Sequence, residues 1–245
     1  MVRSAFSPDR IKAVVFDVIG TLVDEDPTWR RVAEELAAEV GLDAPEDLHR
    51  LWATILDERM SAIVAGEAAW RPHARLIDEA AADAITALGG APSDRTRELT
   101  AHLDRRYASW PDVAEATAAL RRGRLVAGVS NGDLDALAHL AQANAISWDI
   151  ALSTGSVKTF KPDPAAYRYA IDALGIDPTR TLFVAAHPWD LRAAAEHGFR
   201  TAYIARPGAE RPADDDRFDL EADDLTALTA LLSASFSTGP PGPSL

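Results

Sequence analysis

The chain has 245 residues, enough for one large domain or for a core domain carrying an insertion, and at 47% apolar it can bury a sizeable core. Its 38 acidic and 25 basic residues leave a net charge of −13, which disfavours nucleic acid phosphates and anionic lipid headgroups as partners. Cysteine is absent and the six histidines show no close pairing, so disulfides, thiolate catalysis and cysteine-bound zinc are excluded and no histidine metal site is signalled.

In chain order, the first ten residues, MVRSAFSPDR, lack the apolar core of a signal peptide. No later apolar stretch approaches the roughly 20 residues that cross a bilayer. A cytoplasmic protein with no membrane partner is the expectation. Residues 12–18 form the first short apolar run and read as a buried strand. Asp17 stands near its end, before a turn containing Gly20. A carboxylate delivered there is partly desolvated and rigidly held, which suits an oxygen nucleophile. The bland alternative is an aspartate capping the next turn. Ile19, two residues on, cannot carry a proton.

Residues 25–110 show helix patterns and no clear strand run. The patterns at 28–40 and 45–65 stop at Gly41 and Gly66, and another covers 93–108. A helical block inserted after the first strand reads as a cap. Residues 124–130 form the second buried run, ending in Ser130 and followed by Asn131, Gly132 and Asp133. These could merely cap the helix expected at 133–144, or they could leave backbone N–H groups free for an anion. A weaker strand follows at 148–153, then Phe160, Lys161, Pro162 and Asp163. The chain has only three lysines, Lys12, Lys158 and Lys161, so this placement of one stands out.

A helix is expected at 164–174, opened by Pro164 and closed by Gly175, and a third buried strand at 181–186. His187, Pro188, Trp189 and Asp190 come next, then a helix at 190–197 and a strand at 201–205. Asp190 reads either as an N-cap or as a second site carboxylate, His187 as a packed strand-end residue or a site residue, and Trp189 as an apolar wall. The tail from about residue 233 has the composition of a disordered segment. Alternating strands and helices from 124 onward predict an α/β fold, a doubly wound parallel sheet with helices on both faces. Such sheets bind ligands at the carboxyl ends of their strands. The expected division is residues 1–24 and 111–233 for the core, 25–110 for the cap and 234–245 for the tail.

The order of these strand-end residues resembles the haloacid dehalogenase superfamily over most of the chain. The motifs are Phe16-Asp17-Val18-Ile19-Gly20-Thr21-Leu22-Val23-Asp24, then Val129-Ser130-Asn131-Gly132, then Lys161-Pro162-Asp163-Pro164 with Tyr167, and the Asp190 region. The chain is most similar to the branch of L-2-haloacid dehalogenases. Superfamily phosphatases place an aspartate where this chain has Ile19, and an acidic residue shortly before the last Asp, where it has Ala186.

The resemblance implies a Rossmann-like core and a short 2-substituted carboxylic acid as the small-molecule substrate. It implies no cofactor and no metal, and allows a homodimer. Asp17 would displace halide from C2 and form an ester, Lys161 would keep Asp17 ionised, and Asp190 would be the base for the hydrolytic water. Ser130 would hold the substrate carboxylate, Asn131 would contact halide, and Ile19 and Trp189 would exclude water. An arginine expected in the cap after Trp52 is replaced by Ala53, leaving Arg50 as the candidate. Ala185, Ala186 and His187 stand where serine and asparagine are expected, so an imidazole takes the place of an amide. The competing readings are a magnesium-dependent phosphatase, a binding protein on the same fold, and a hydrolase of another activated carbon centre.

Overall fold

The structure, a computed structural model, describes residues 7–233. The expectation of a disordered tail at 234–245 lies outside them. Six parallel strands form the central sheet: β1 (Ala13–Phe16), β4 (Leu125–Ser130), β5 (Ile150–Ser153), β6 (Thr181–Ala185), β7 (Arg200–Ile204) and β8 (Leu220–Ala222). Their order is β5-β4-β1-β6-β7-β8. The most apolar strand is thus central: β1 pairs with β4 through Phe16 and Gly128, and with β6 through Phe16 and Val184.

Successive residues of β1 enter different cores. Val14 and Phe16 join an apolar cluster that continues through Leu22 and Val23 to Trp29 and Trp52. Val15 joins a second cluster with Tyr167, Phe183 and Leu191. A strand buried on both faces must be apolar throughout, which is why these strands read as continuous runs. The flanking helices are α5 (Val113–Arg121), α6 (Leu134–Ala143), α7 (Pro164–Leu174), α8 (Pro188–Glu196) and α9 (Leu225–Ser233).

The helical block holds α1 (Asp26–Val40), α2 (Pro45–Val64), α3 (His73–Ala87) and α4 (Asp94–Thr100). Its two ends are joined by a short antiparallel ribbon, β2 (Val23–Asp24) on β3 (Ala108–Ser109), where Val23 faces Ser109. Within the block, α1 buries Trp29, Val32 and Leu36 and stops at Gly41, whose φ of 70° suits glycine. Trp52 of α2 is fully buried and donates its indole N–H to the Ile77 carbonyl of α3 at 2.9 Å. The core grips this block through Asp133, whose carboxylate accepts from the first amides of α3, His73 N at 3.2 Å and Ala74 N at 2.9 Å. Those amides are helix-start donors that need an external acceptor.

Two helix expectations are corrected. The helix expected over 93–108 stops at Thr100; a 3₁₀ turn (Leu103–Arg105) and β3 follow. His102 takes φ 56°, and the chain turns there so that Leu103 and Tyr107 become buried. The helix expected at 190–197 begins at Pro188, with His187 at its N-cap position, so Asp190 lies inside the first turn and is not the cap.

Candidate active site

The turn after β1 builds the site. The backbone N–H of Asp17 still donates to Val184 O of β6 at 3.0 Å, so the sheet ladder fixes the residue that carries the carboxylate. Beyond it, Leu22 N and Val23 N return to Val18 O, and Gly20 takes φ 81°. Gly20 is also required by space: a Cβ there would lie 2.6 Å from Cε1 of His187. The strand order then decides what meets Asp17. β4 and β6 flank β1, so residues past their ends converge on it, and the loop after β5 reaches in with Lys161.

Lys161 Nζ donates to Asp17 Oδ1 at 2.7 Å and to Asp190 Oδ2 at 2.5 Å. Tyr167 Oη donates to the other oxygen of Asp190 at 2.6 Å. On Asp17 Oδ2 two donors meet, Thr21 Oγ1 at 2.8 Å and His187 Nδ1 at 2.9 Å. Thr21 Oγ1 is itself held by the Ala186 N–H at 2.8 Å. Asp17, Lys161 and Asp190 are buried at 5%, 4% and 0% exposure.

Burial on its own would push the Asp17 carboxyl up; the Lys161 ammonium and then His187 outweigh it and hold Asp17 below the usual carboxylate range. Burial pulls Lys161 down, but Asp17 and Asp190 outweigh that and raise it, so it stays an ammonium. Burial, together with the charge of Asp17, raises Asp190 more than Lys161 and Tyr167 lower it, giving this carboxylate the greater proton affinity of the two. His187 is raised because its hydrogen bond to Asp17 and that carboxylate's charge outweigh burial.

The remaining sequence candidates divide. Asn131 turns its amide on the lysine loop: Oδ1 accepts from Lys161 N at 2.7 Å and Nδ2 donates to Lys161 O at 3.3 Å. This amide fixes the loop that presents the ammonium. Ser130 is buried, and its Oγ accepts from Gly132 N at 3.1 Å. Ile19 borders a cavity of about 360 Å³ beneath the helical block, whose other walls include Trp29, Ala53, Leu56 and Tyr107. Trp189, with Asn131, Lys161 and Met60, borders a neighbouring space of about 430 Å³.

Arg50 is not brought to the site. Its side chain is 74% exposed and paired with Asp47 one turn earlier, because the cavity takes the α2 face of His49, Ala53 and Asp57.

Sequence reasoning left Thr21 and Tyr167 without a role in the site, although both lay in the quoted motifs. The signal was their hydroxyls, since a hydroxyl buried next to a carboxylate finds it as a partner. The carboxylates of Glu25 and Asp57 at the cavity carried no comparable signal.

The donor set does not fit a hard divalent cation. Asp17 Oδ1 and Asp190 Oδ2 both hold the Lys161 ammonium, and among the described residues no group of three His, Asp or Glu side chains is arranged to hold a metal. A rigid, ionised carboxylate with a fixed ammonium beside it, at the carboxyl edge of a parallel sheet and under a helical cap, has the properties that an oxygen nucleophile requires.

A family model of haloacid dehalogenase-like hydrolases matches residues 11–198, and the chain belongs to that family. It is 32% identical to (S)-2-haloacid dehalogenase 4A of Burkholderia cepacia, over 82% of this chain and 85% of that protein. It is 29% identical to a phosphoserine phosphatase of Thermus thermophilus, over 88% of this chain and 96% of that one. Among solved structures it resembles L-2-haloacid dehalogenase from Xanthobacter autotrophicus with chloropropionic acid covalently bound. There the TM-score is 0.75 at 25% identity, covering 94% of this chain and all of that one.

Proposed function

We propose that the protein hydrolyses short 2-haloacids by a metal-independent route through an ester on Asp17. Asp17 Oδ1 attacks C2 of the substrate, the carbon–halogen bond breaks, and halide leaves with the bonding pair. Lys161 keeps the nucleophile ionised. Halide needs no proton, which accords with Ile19 at the position where a general acid would stand. Ile19 and Trp189 keep bulk water from competing. Ser130 and the backbone amides after β4 are the proposed carboxylate holders, and the second Nδ2 hydrogen of Asn131 is the proposed halide contact.

Water then adds to Cγ of the ester, and the Cγ–Oδ1 bond breaks. Lys161 Nζ, which donates to Oδ1 at 2.7 Å, protonates the departing alkoxide and regains a proton from the water. The second proton of the water passes to Asp190, whose burial raises its proton affinity, and then to solvent. Asp17 is restored with one oxygen from water, and the product is a 2-hydroxyacid.

In this reading the described part of residues 1–24 and residues 111–233 form the core and 25–110 the cap, the protein acts in the cytoplasm on a free small molecule without binding nucleic acid, and it pairs as a homodimer, which light scattering tests.

The observation that carries the proposal is the enclosed Asp17–Lys161–Asp190 arrangement with an ammonium between the two carboxylates. Halide release from 2-chloro- and 2-bromopropionate in the presence of a chelator is the test. We expect release by the wild type, and only the background rate from Asp17→Asn. Release unchanged by that substitution would remove Asp17 from the mechanism. A phosphate-ester substrate is the second reading, favoured by the relative named phosphoserine phosphatase. Phosphate release that requires magnesium, with no halide release, would decide for it.

A further inference from the structure

Asp17 is bonded unequally at its two oxygens. Oδ1 has one donor, the Lys161 ammonium, whereas Oδ2 has two, the Thr21 hydroxyl at 2.8 Å and His187 Nδ1 at 2.9 Å. A carboxylate can only accept, so Nδ1 carries the hydrogen. We propose that His187 is a catalytic residue of the second half-reaction, an oxyanion donor that works with Thr21 on Oδ2 while the ester occupies Oδ1. This rests on the ester mechanism above.

The argument begins with what each half-reaction does to Oδ2. While Asp17 is a free carboxylate, both donors stabilise the ground state and gain nothing for the attack. Once Oδ1 is alkylated, Oδ2 is a neutral ester carbonyl. When water bonds to Cγ, the electron pair of Cγ=Oδ2 moves onto Oδ2 and creates a full charge there. When Cγ–Oδ1 breaks, that pair returns and the carbonyl re-forms. Donors at 2.8 and 2.9 Å lie within the range that stabilises such an oxyanion, and they act on charge absent from the ester.

Both donors are fixed in advance. Ala186 N–H holds Thr21 Oγ1, and Gly20 leaves the imidazole the space that a side chain would fill. The groups facing His187 are Asp17, Lys161 and Asp190, with the carboxyl of Glu25 on the Gly20 side and the Trp189 ring at 5.7 Å. Asp17 dominates in the free enzyme, and the oxyanion restores the same charge at the same atom. The base role is left to Asp190: with Nδ1–H on Oδ2 only Nε2 could take a proton, and it lies on the Gly20 and Glu25 side, 2.8 Å from where a Cβ of residue 20 would stand.

A donor and a base predict opposite pH dependence. The imidazolium is the stronger donor and neutral Nδ1–H the weaker, so ester decay slows to a lower plateau as pH rises through the histidine range. A base would make decay speed up with pH.

The test is single-turnover mixing with 2-bromopropionate of wild type, His187→Ala and His187→Asn, following halide release and the mass of the protein–ester adduct. Circular dichroism and thermal melts establish that the variants fold. We expect His187→Ala to release about one equivalent of halide at a near-normal rate and then hold the ester, with decay slowed by about 10²–10³-fold. We expect His187→Asn, which keeps an N–H donor, to recover much of that loss and to lose the pH dependence. Ester decay unchanged in His187→Ala, or acceleration with pH in the wild type that His187→Asn abolishes, would overturn the inference and leave the dehalogenase reading standing. Should His187→Ala fail to fold, the asparagine variant and the wild-type pH profile decide alone. Absence of a halide burst in the wild type overturns both readings.

Discussion

At the scale of single residues, Lys161 decides what the site can be. A desolvated ammonium between two buried carboxylates has no water to replace either partner, so removing it leaves two like charges facing each other. Lys161→Met should therefore lower stability at neutral pH by about 3–5 kcal/mol. The sign with pH follows from the carboxylates. Asp17 is depressed in the wild type, so its pairing stabilises the fold at neutral pH and is lost as pH falls through its folded value. In the variant, protonating Asp17 and Asp190 removes the repulsion, so the gap between wild type and variant should narrow on acidification. Urea melts at several pH values read this directly, and a gap that widens toward acid would contradict the account. Of these residues, Asp17 and Asp190 stood out by their place at or just after a strand end, and Lys161 by the scarcity of lysine in the chain. Arg50 was misjudged because helical spacing gives a face but not which face meets the cavity.

At the scale of elements, core and cap share one apolar cluster, and two polar features pin their relative placement. Asp133 follows β4 in the core yet caps α3 in the helical block, and the β2–β3 ribbon ties the two connecting segments together. Asp133→Ala should cost about 1 kcal/mol as a lost helix cap. It should also loosen α3 against the core, seen as faster amide exchange over residues 73–87 than over α7. Equal exchange in the two helices would mean that the contact does not hold the cap. The apolar runs and the glycine stops were legible because burial on both strand faces and positive φ each demand particular residues. The ribbon, β8 and the early end of α4 were not legible. Two- and three-residue strands carry no periodicity, and α4 ends where distant packing of Leu103 and Tyr107 takes over.

At the scale of the whole molecule, the charge of −13 works against the anionic substrate proposed here. The single ammonium at the site is already engaged by two carboxylates, and Glu25, Asp26 and Asp57 border the adjoining cavity. Approach of a 2-haloacid is therefore opposed at long range, and salt should relieve it, since screening at 0.1 M acts beyond about 10 Å. Added potassium sulfate should raise kcat/KM for 2-chloropropionate and leave an uncharged analogue such as 2-chloropropionamide unaffected. A fall for the acid would show that local attraction outweighs the overall charge. Among the described residues no helix is long and apolar enough to cross a membrane.

Burial and turn chemistry act locally, so the parallel sheet, the inserted helices and the strand ends near Asp17, Lys161 and Asp190 can be read from the order of residues alone. Which oxygen of Asp17 each donor occupies, the solvent-facing side of Arg50 and the meeting of His187 and Thr21 on one oxygen come from the fold in three dimensions. Those facts depend on how distant segments pack across the sheet edge, and no local pattern of residues carries that information.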